Sequence, residues 1–458
     1  MKRTLKRSTL ILIFTIAFIA GIGFFTVELA FNARDWVAQP YNAHISGNGG
    51  LEEAGRILDR NGNVLAETVD GERVYNSDSQ VRAALLHTVG DNSLNISTAV
   101  QSKYRSLLTG YNLIWGLNMP QSMRSSRDIT LTVDAGTCKT AYNQLQNLGK
   151  HGACVIYNYQ TGEVICAVST PGYDPQYPPK ITEDNESEYD GVYLDNVLSS
   201  SYTPGSIFKL VTAVCAIENM PDALTHTHNC AGSEEIGGHD VTCSDNEVHG
   251  EINLQQALEH SCNIYFADLA VELGSEKMNA TAQKMGINMS FDIDDVDTAK
   301  GHYDASKADT NQLGWSGVGQ YDNKVNPMQM AIVCSAIANS GQGVNPTYIK
   351  SGSDDILKEI GITGHKKYDL INSGTAQTLD SIMPVYNIGG LTVHAKTGTA
   401  EVNEDKAPNA WFVGYSTDSD CPLAFACIVE DAGFGNTYAR PVVEAALAQA
   451  ASVVRNGS

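Results

Sequence analysis

Basic residues are scarce in this chain. It carries 30 Lys and Arg against 52 Asp and Glu, a formal net charge of −22. Binding nucleic acid requires clustered Lys and Arg to neutralise phosphates, and no basic patch interleaved with aromatics occurs. Nucleic acid is therefore excluded as a partner, and the acidic excess serves solubility. Internal repeats and low-complexity tails are also missing, which excludes solenoid and propeller arrays. Only one long apolar run is present. It extends from Thr9 to Val27, about 19 residues, enough for one bilayer crossing. Lys2, Arg3, Lys6 and Arg7 precede it, so the positive-inside rule keeps residues 1–8 cytoplasmic and places everything after Glu28 outside. The competing reading is a cleaved signal peptide. The run exceeds the ~7–15 residues of a signal core and no clean Ala-x-Ala site follows, so the sequence predicts a single-pass anchor with an extracytoplasmic body.

Ten cysteines in an exported chain invite disulfides. Yet Cys154, Cys166, Cys215, Cys334 and Cys427 sit in apolar runs and read as small buried hydrophobes. Cys230 and Cys243 differ, because both lie in a polar, Gly-containing stretch, and a disulfide between them is the first expectation. His226, His228, His239 and His249 surround the pair, so zinc is chemically feasible, but none of the spacings matches an established finger or ribbon. Reduced thiols in a polar surface loop are the third alternative. No metal or cofactor is assigned.

At 458 residues the chain can hold two or three domains. Residues 28–50 read as a polar connector. Residues 51–125 read as a small non-catalytic module that opens on a hairpin, with Ile57-Leu58 and Val64-Leu65-Ala66 flanking the Asn61-Gly62 turn. From residue 126 to 455 strands stand at both ends with helices between them. Strands are predicted at 129–133, on both sides of the turn at 160–163, and at 391–395, 410–415 and 423–430. Helices are predicted from Asp134 to Leu148 and over 208–218, 254–273, 328–339 and 441–454. The pattern is an α+β sandwich, one sheet covered by helices.

Three short strings lie in order across this second half: Ser206-Ile-Phe-Lys209, Ser261-Cys-Asn263 and Lys396-Thr397-Gly398. Tyr202-Thr-Pro-Gly205 is a turn and an apolar helix follows it, which puts Ser206 near a helix N-terminus where the dipole favours developing negative charge. Lys209 lies three residues on, on the same helical face. Desolvated beside other cations, such a lysine can lose its proton near neutral pH and take that of the serine. Alone, Ser-x-x-Lys is usually an N-cap and a surface charge. Ser261 and Asn263 fall in an otherwise apolar helical stretch, where an unpaired hydroxyl or amide costs ~1–3 kcal/mol. The first motif can supply their partners, with Ser261 relaying a proton to a leaving amine and Asn263 orienting Lys209. Lys396 follows a strand and suits a substrate carboxylate, and Thr397 and Thr399 add hydroxyl donors. Gly398, without a side chain, would let an extended peptide lie along the strand. The backbone N–H groups of Ser206 and Thr399 would form an oxyanion hole. Each string is weak alone, and the ordered trio supplies a complete acyl-transfer site.

On these residues the chain resembles the class B penicillin-binding proteins, peptidoglycan D,D-transpeptidases. Gly55-Arg-Ile-Leu-Asp-Arg-Asn-Gly62, Tyr202 to Ala213, Gly317-Val-Gly-Gln320, Asn326-Pro-Met-Gln-Met330 and Trp411-Phe-Val-Gly-Tyr415 are similar to further family landmarks. Tyr321 stands where a glycine is usual, and Asn326 where a threonine is. The resemblance implies a serine β-lactamase-like catalytic domain in which Ser206 attacks the penultimate D-Ala of a stem peptide ending in D-Ala-D-Ala. D-Ala would leave, an amine from a second stem would take the acyl group, and β-lactams would acylate Ser206 and stay. No glycosyltransferase segment is legible, so a separate membrane polymerase is implied as partner. Two rivals stand beside this reading. The same fold could hydrolyse its acyl-enzyme as a D,D-carboxypeptidase or β-lactamase, or the chain could be a penicillin-binding scaffold or sensor.

Overall fold

The computed structural model describes residues 2–38, 51–109, 127–352, 366–402 and 406–456. Its first element is the helix Lys2–Ala38, and within it Thr9–Leu29 is long and apolar enough to cross a bilayer. The helix continues past the residue 28 at which a connector was expected. No Gly or Pro stands between Glu28 and Ala38, and the first breaker is Pro40. The remainder of the connector, 39–50, lies outside the described residues.

The segment after residue 51 builds a five-stranded sheet with strands from elsewhere in the chain. The strand order is Ile349–Gly352, Ile129–Leu131, Ile57–Leu58, Val64–Val69, Glu72–Tyr75. The expected hairpin is present, with Gly62 at φ +83°. The buried Asp59 carboxylate fixes its turn by accepting from the N–H groups of Asn61 (2.9 Å) and Asn63 (2.8 Å). Ile57 pairs in parallel with Ile129, and Leu131 pairs antiparallel with Ile349. The strand expected at 129–133 and a further one, Ile349–Gly352, both from beyond residue 126, thus complete the sheet of the smaller module. The boundary drawn at 125/126 lies outside the described residues.

The larger part of the chain, from residue 127 on, is α+β. Six antiparallel strands run in the order Val385–Ile388, Leu391–Ala400, Asn409–Ser416, Leu423–Val429, Gly152–Asn158, Val164–Thr170. Every residue of the last four is buried, because helices cover both faces. Ala135–Leu148 and Gly435–Asn456 pack on one side, and Pro327–Ala338 on the other. Asp134 caps the first of these helices through its side chain, and Gly149 ends it in the left-handed conformation. The last helix begins six residues before Pro441, the residue at which its start was expected.

The two departures from the family pattern each take a defined local conformation. Tyr321 takes a glycine-like backbone at φ +68°. Asn326 caps Pro327–Ala338 in a reciprocal box with Gln329, and its amide donates to the carbonyls of Leu198 and Ser200.

Candidate active site

The turn that carries Ser206 is wedged between the Leu391–Ala400 strand and the Gly319 turn. Gly205 has φ +54°, and a Cβ there would lie 2.4 Å from the Thr399 carbonyl oxygen. Its N–H donates to the Gly319 carbonyl at 2.9 Å, and a Cβ on Gly319 would sit 2.0 Å from the Gly205 oxygen. The Trp411 indole N–H holds the Thr203 carbonyl at 3.0 Å. Ser206, half-buried, stands in the 3-10 turn Gly205–Phe208, which leads into the helix Lys209–Asn219. It therefore occupies the helix start predicted for it, with the Thr399 backbone beside it.

Lys209 is fully buried, 0% exposed. Its Nζ donates to the Ser261 carbonyl (2.5 Å), the Asn263 Oδ1 (2.7 Å) and the Ser261 Oγ (3.2 Å), and lies 5.7 Å from the Phe266 ring centroid. Burial pulls its pKa down to about 7. The surface-charge alternative for this lysine is thereby excluded.

Ser261 does not lie within a continuous helix. The stretch predicted as one helix is two, Leu254–Glu259 and Asn263–Leu273, separated by Ser261 at φ +55°. The apolar periodicity that runs through the break is what hid it, since both helices bury the same kind of face. Cys262 caps the second helix, its sulfur accepting from the Tyr265 N–H. The break turns both Ser261 and Asn263 towards Lys209. Asn263 Nδ2 donates to the Thr242 carbonyl at 2.8 Å, which leaves its Oδ1 as acceptor for the lysine.

Lys396, 2% exposed, donates to the Ser261 Oγ at 2.8 Å and to the Thr397 carbonyl at 3.0 Å. Ser261 Oγ thus bridges two buried amines. Burial, and then the nearby Lys209 charge, hold the Lys396 amine well below its usual range. Val385–Ile388 pairs only with Leu391–His394, so among the described residues the edge from Lys396 to Ala400 has no strand partner. Thr397 and Thr399 are half-exposed along that edge. Gly398 has a different reason for being glycine from the one expected. A Cβ there would meet Ile207 and the Trp411 Cβ at 2.9 Å and the Pro204 oxygen at 3.1 Å. The missing side chain lets the nucleophile turn pack on the strand.

The structure therefore joins Lys209, Ser261, Asn263 and Lys396 by direct hydrogen bonds, with Ser206 on the turn that packs against the Gly398–Thr399 strand. It adds Phe266 and Thr242, which no motif spacing signalled, and Gly319, which lies in the landmark Gly317-Val-Gly-Gln320. Cys230 and Cys243 are not bonded to each other. Their sulfurs are 3.6 Å apart against the ~2.05 Å of a disulfide, because a third thiol and an imidazole converge on the same point.

Comparison with known proteins agrees with this geometry. The model of the penicillin binding protein transpeptidase domain matches residues 152–448. The chain belongs to the penicillin-binding protein transpeptidase family. Peptidoglycan D,D-transpeptidase PbpA of Mycolicibacterium smegmatis is 27% identical over 376 residues, 72% of this chain and 73% of that protein. Penicillin-binding protein 3 of Bacillus subtilis is 26% identical over 415 residues, 82% of this chain and 58% of that protein. A ceftriaxone acyl-enzyme complex of penicillin-binding protein A from M. tuberculosis shares the fold, with a TM-score of 0.73 at 21% identity, covering 88% of this chain and 99% of that one. All ten cysteines of this chain are buried; Cys262 lies within the Ser261–Asn263 string, and Cys230 and Cys243 lie against it.

Proposed function

We propose that the chain is a serine D,D-transpeptidase that cross-links peptidoglycan stem peptides through a Ser206 acyl-enzyme. The observation that carries this reading is the buried Lys209 amine, its pKa brought to about 7 and its donors spent on Ser261 and Asn263. In its neutral form it takes the Ser206 proton as Oγ attacks the carbonyl of the penultimate D-Ala. The oxyanion is held by the N–H groups of Ser206 and Thr399. The C–N bond then breaks, and Ser261, between the two amines, passes a proton to the departing D-Ala amine. An acceptor amine reverses the sequence and forms the new peptide bond.

Lys396 receives the terminal carboxylate of the donor peptide. An arriving anion favours the protonated amine and reverses the depression caused by burial. The unpaired edge from Lys396 to Ala400 suits an extended peptide added as a strand. β-Lactams would acylate Ser206, in keeping with the ceftriaxone acyl-enzyme complex of the M. tuberculosis relative. The apolar helix would serve as an anchor with residues 1–8 cytoplasmic and the catalytic half outside, beside a separate glycan polymerase.

The test is acyl-enzyme partition. Full-length protein in detergent receives a D-Ala-D-Ala stem peptide and a D-amino acid, and products are resolved by mass spectrometry. Penicillin-sensitive aminolysis exceeding hydrolysis is expected. Predominant hydrolysis would make the protein a D,D-carboxypeptidase, and no turnover together with no penicillin adduct would remove the enzyme reading.

A further inference from the structure

Cys230, Cys243, His249 and Cys262 come from four separate turns. Cys230 ends the strand Thr227–Cys230, Cys243 follows His239–Thr242, His249 precedes Gly250–Asn253, and Cys262 lies between the two catalytic residues of the second motif. Their ligand atoms all lie within 4.8 Å of one another. The sulfurs of Cys230 and Cys243, and of Cys243 and Cys262, are each 3.6 Å apart, and His249 Nδ1 is 3.3 Å from the Cys230 sulfur and 3.7 Å from that of Cys243. A tetrahedral site with Zn–S of ~2.3 Å and Zn–N of ~2.0 Å has S···S edges of about 3.8 Å and S···N edges of about 3.5 Å. Sulfurs at such edges are too far apart for a disulfide. One bond between any two would also leave the third thiol unpaired. The thiols are buried and the His249 side chain is 4% exposed, its Nε2 without a hydrogen-bond partner among the described residues and 3.6 Å from the Glu247 carboxylate. That carboxylate is placed to orient the ring from behind, as carboxylates do for zinc-bound histidines.

We infer that Cys230, Cys243, His249 and Cys262 form a closed, structural zinc site that clamps the hairpin region 227–253 to the catalytic Ser261–Asn263 break. Three thiolates and one imidazole in tetrahedral array select zinc over hard cations, which require oxygen ligands. Binding releases the three thiol protons, leaving three S⁻ and one neutral imidazole around Zn²⁺. The four positions follow the spacing Cys-x12-Cys-x5-His-x12-Cys. The ion does no chemistry on substrate. Through the Cys262 backbone it positions Ser261 in its left-handed conformation, and through the 239–242 strand it positions the Thr242 carbonyl that orients Asn263.

The experiment is the zinc content of the full-length protein, purified in detergent without added metal, by elemental mass spectrometry beside protein concentration. About one zinc per chain is expected in the wild type and in His249→Cys, which keeps four ligands, and less than a tenth in His249→Ala. Co(II) exchanged into the wild type should give thiolate-to-metal charge transfer and tetrahedral d–d bands, a readout that needs no variant to fold. Removing zinc with a chelator should lower the rate of fluorescent-penicillin acylation ~10–100-fold, and adding zinc should restore it. Wild-type protein without zinc, a Cys230–Cys243 disulfide in the native protein, or full zinc retention in His249→Ala would each overturn the site. Unchanged acylation after zinc loss would overturn its positioning role. Zinc content and Co(II) spectra are independent of whether the enzyme cross-links or hydrolyses.

Discussion

The sheet and the pair Lys209 and Lys396 beside it are both buried and are built on opposite rules. In the strands Asn409–Ser416 and Leu423–Val429 burial is almost wholly apolar, and interchangeable side chains would fill the same space. At the site, burial encloses two amines, which hydrogen-bond to the half-buried Ser261 and Asn263. An apolar core tolerates volume-conserving exchange, whereas a buried amine without its acceptors is costly and chemically altered. The difference teaches where to look for function: it lies where the fold accepts the cost of burying charge.

Four experiments break or sharpen that contrast. Lys209→Met keeps the length of the side chain and removes its amine, and the rate of fluorescent-penicillin acylation should fall ~10²–10⁴-fold with the thermal midpoint held or raised. A loss below tenfold would remove Lys209 as the base. Ser261→Ala deletes the hydroxyl shared by Lys209 and Lys396, and a loss of ~10–100-fold is expected from hydrogen bonds to charged groups. A pH profile should show wild-type acylation rising about tenfold per unit below pH 7 and then levelling. The sign follows from the base, since Lys209, held at about 7, is protonated and inactive below that value and free above it. A flat profile from pH 5 to 9 would contradict the depressed lysine. Phe425→Ala, in the sheet, should cost ~3–5 kcal/mol in denaturant unfolding and leave acylation by the folded protein within about twofold. A large kinetic effect there would blur the contrast.

Much of both regions was legible in the sequence, for particular reasons. The sheet strands announced themselves as unbroken apolar runs, and Ser206 and Lys209 share a helical face by spacing alone. Other features depended on contacts distant in sequence. The strand Ile129–Leu131 joins the smaller module through pairing with Ile57 and Ile349. The break at Ser261 is set by a left-handed residue inside an apolar pattern that reads as one helix. Gly398 is glycine because Pro204 and Ile207, nearly two hundred residues earlier, press on it. Around Cys230 and Cys243 the sequence offers four histidines without distinguishing them, and the contribution of Cys262 is hidden because it sits inside the Ser261–Asn263 string. His226 and His228 face carboxylates instead, at 3.7 Å from Glu272 and 2.7 Å from Glu234.

The most direct test of the central claim is where penicillin binds covalently. Full-length protein is incubated with penicillin, digested and mapped by tandem mass spectrometry. One penicilloyl group per chain, on Ser206 and lost in Ser206→Ala, is the predicted result. No adduct, or an adduct on another residue that survives Ser206→Ala, would contradict the account.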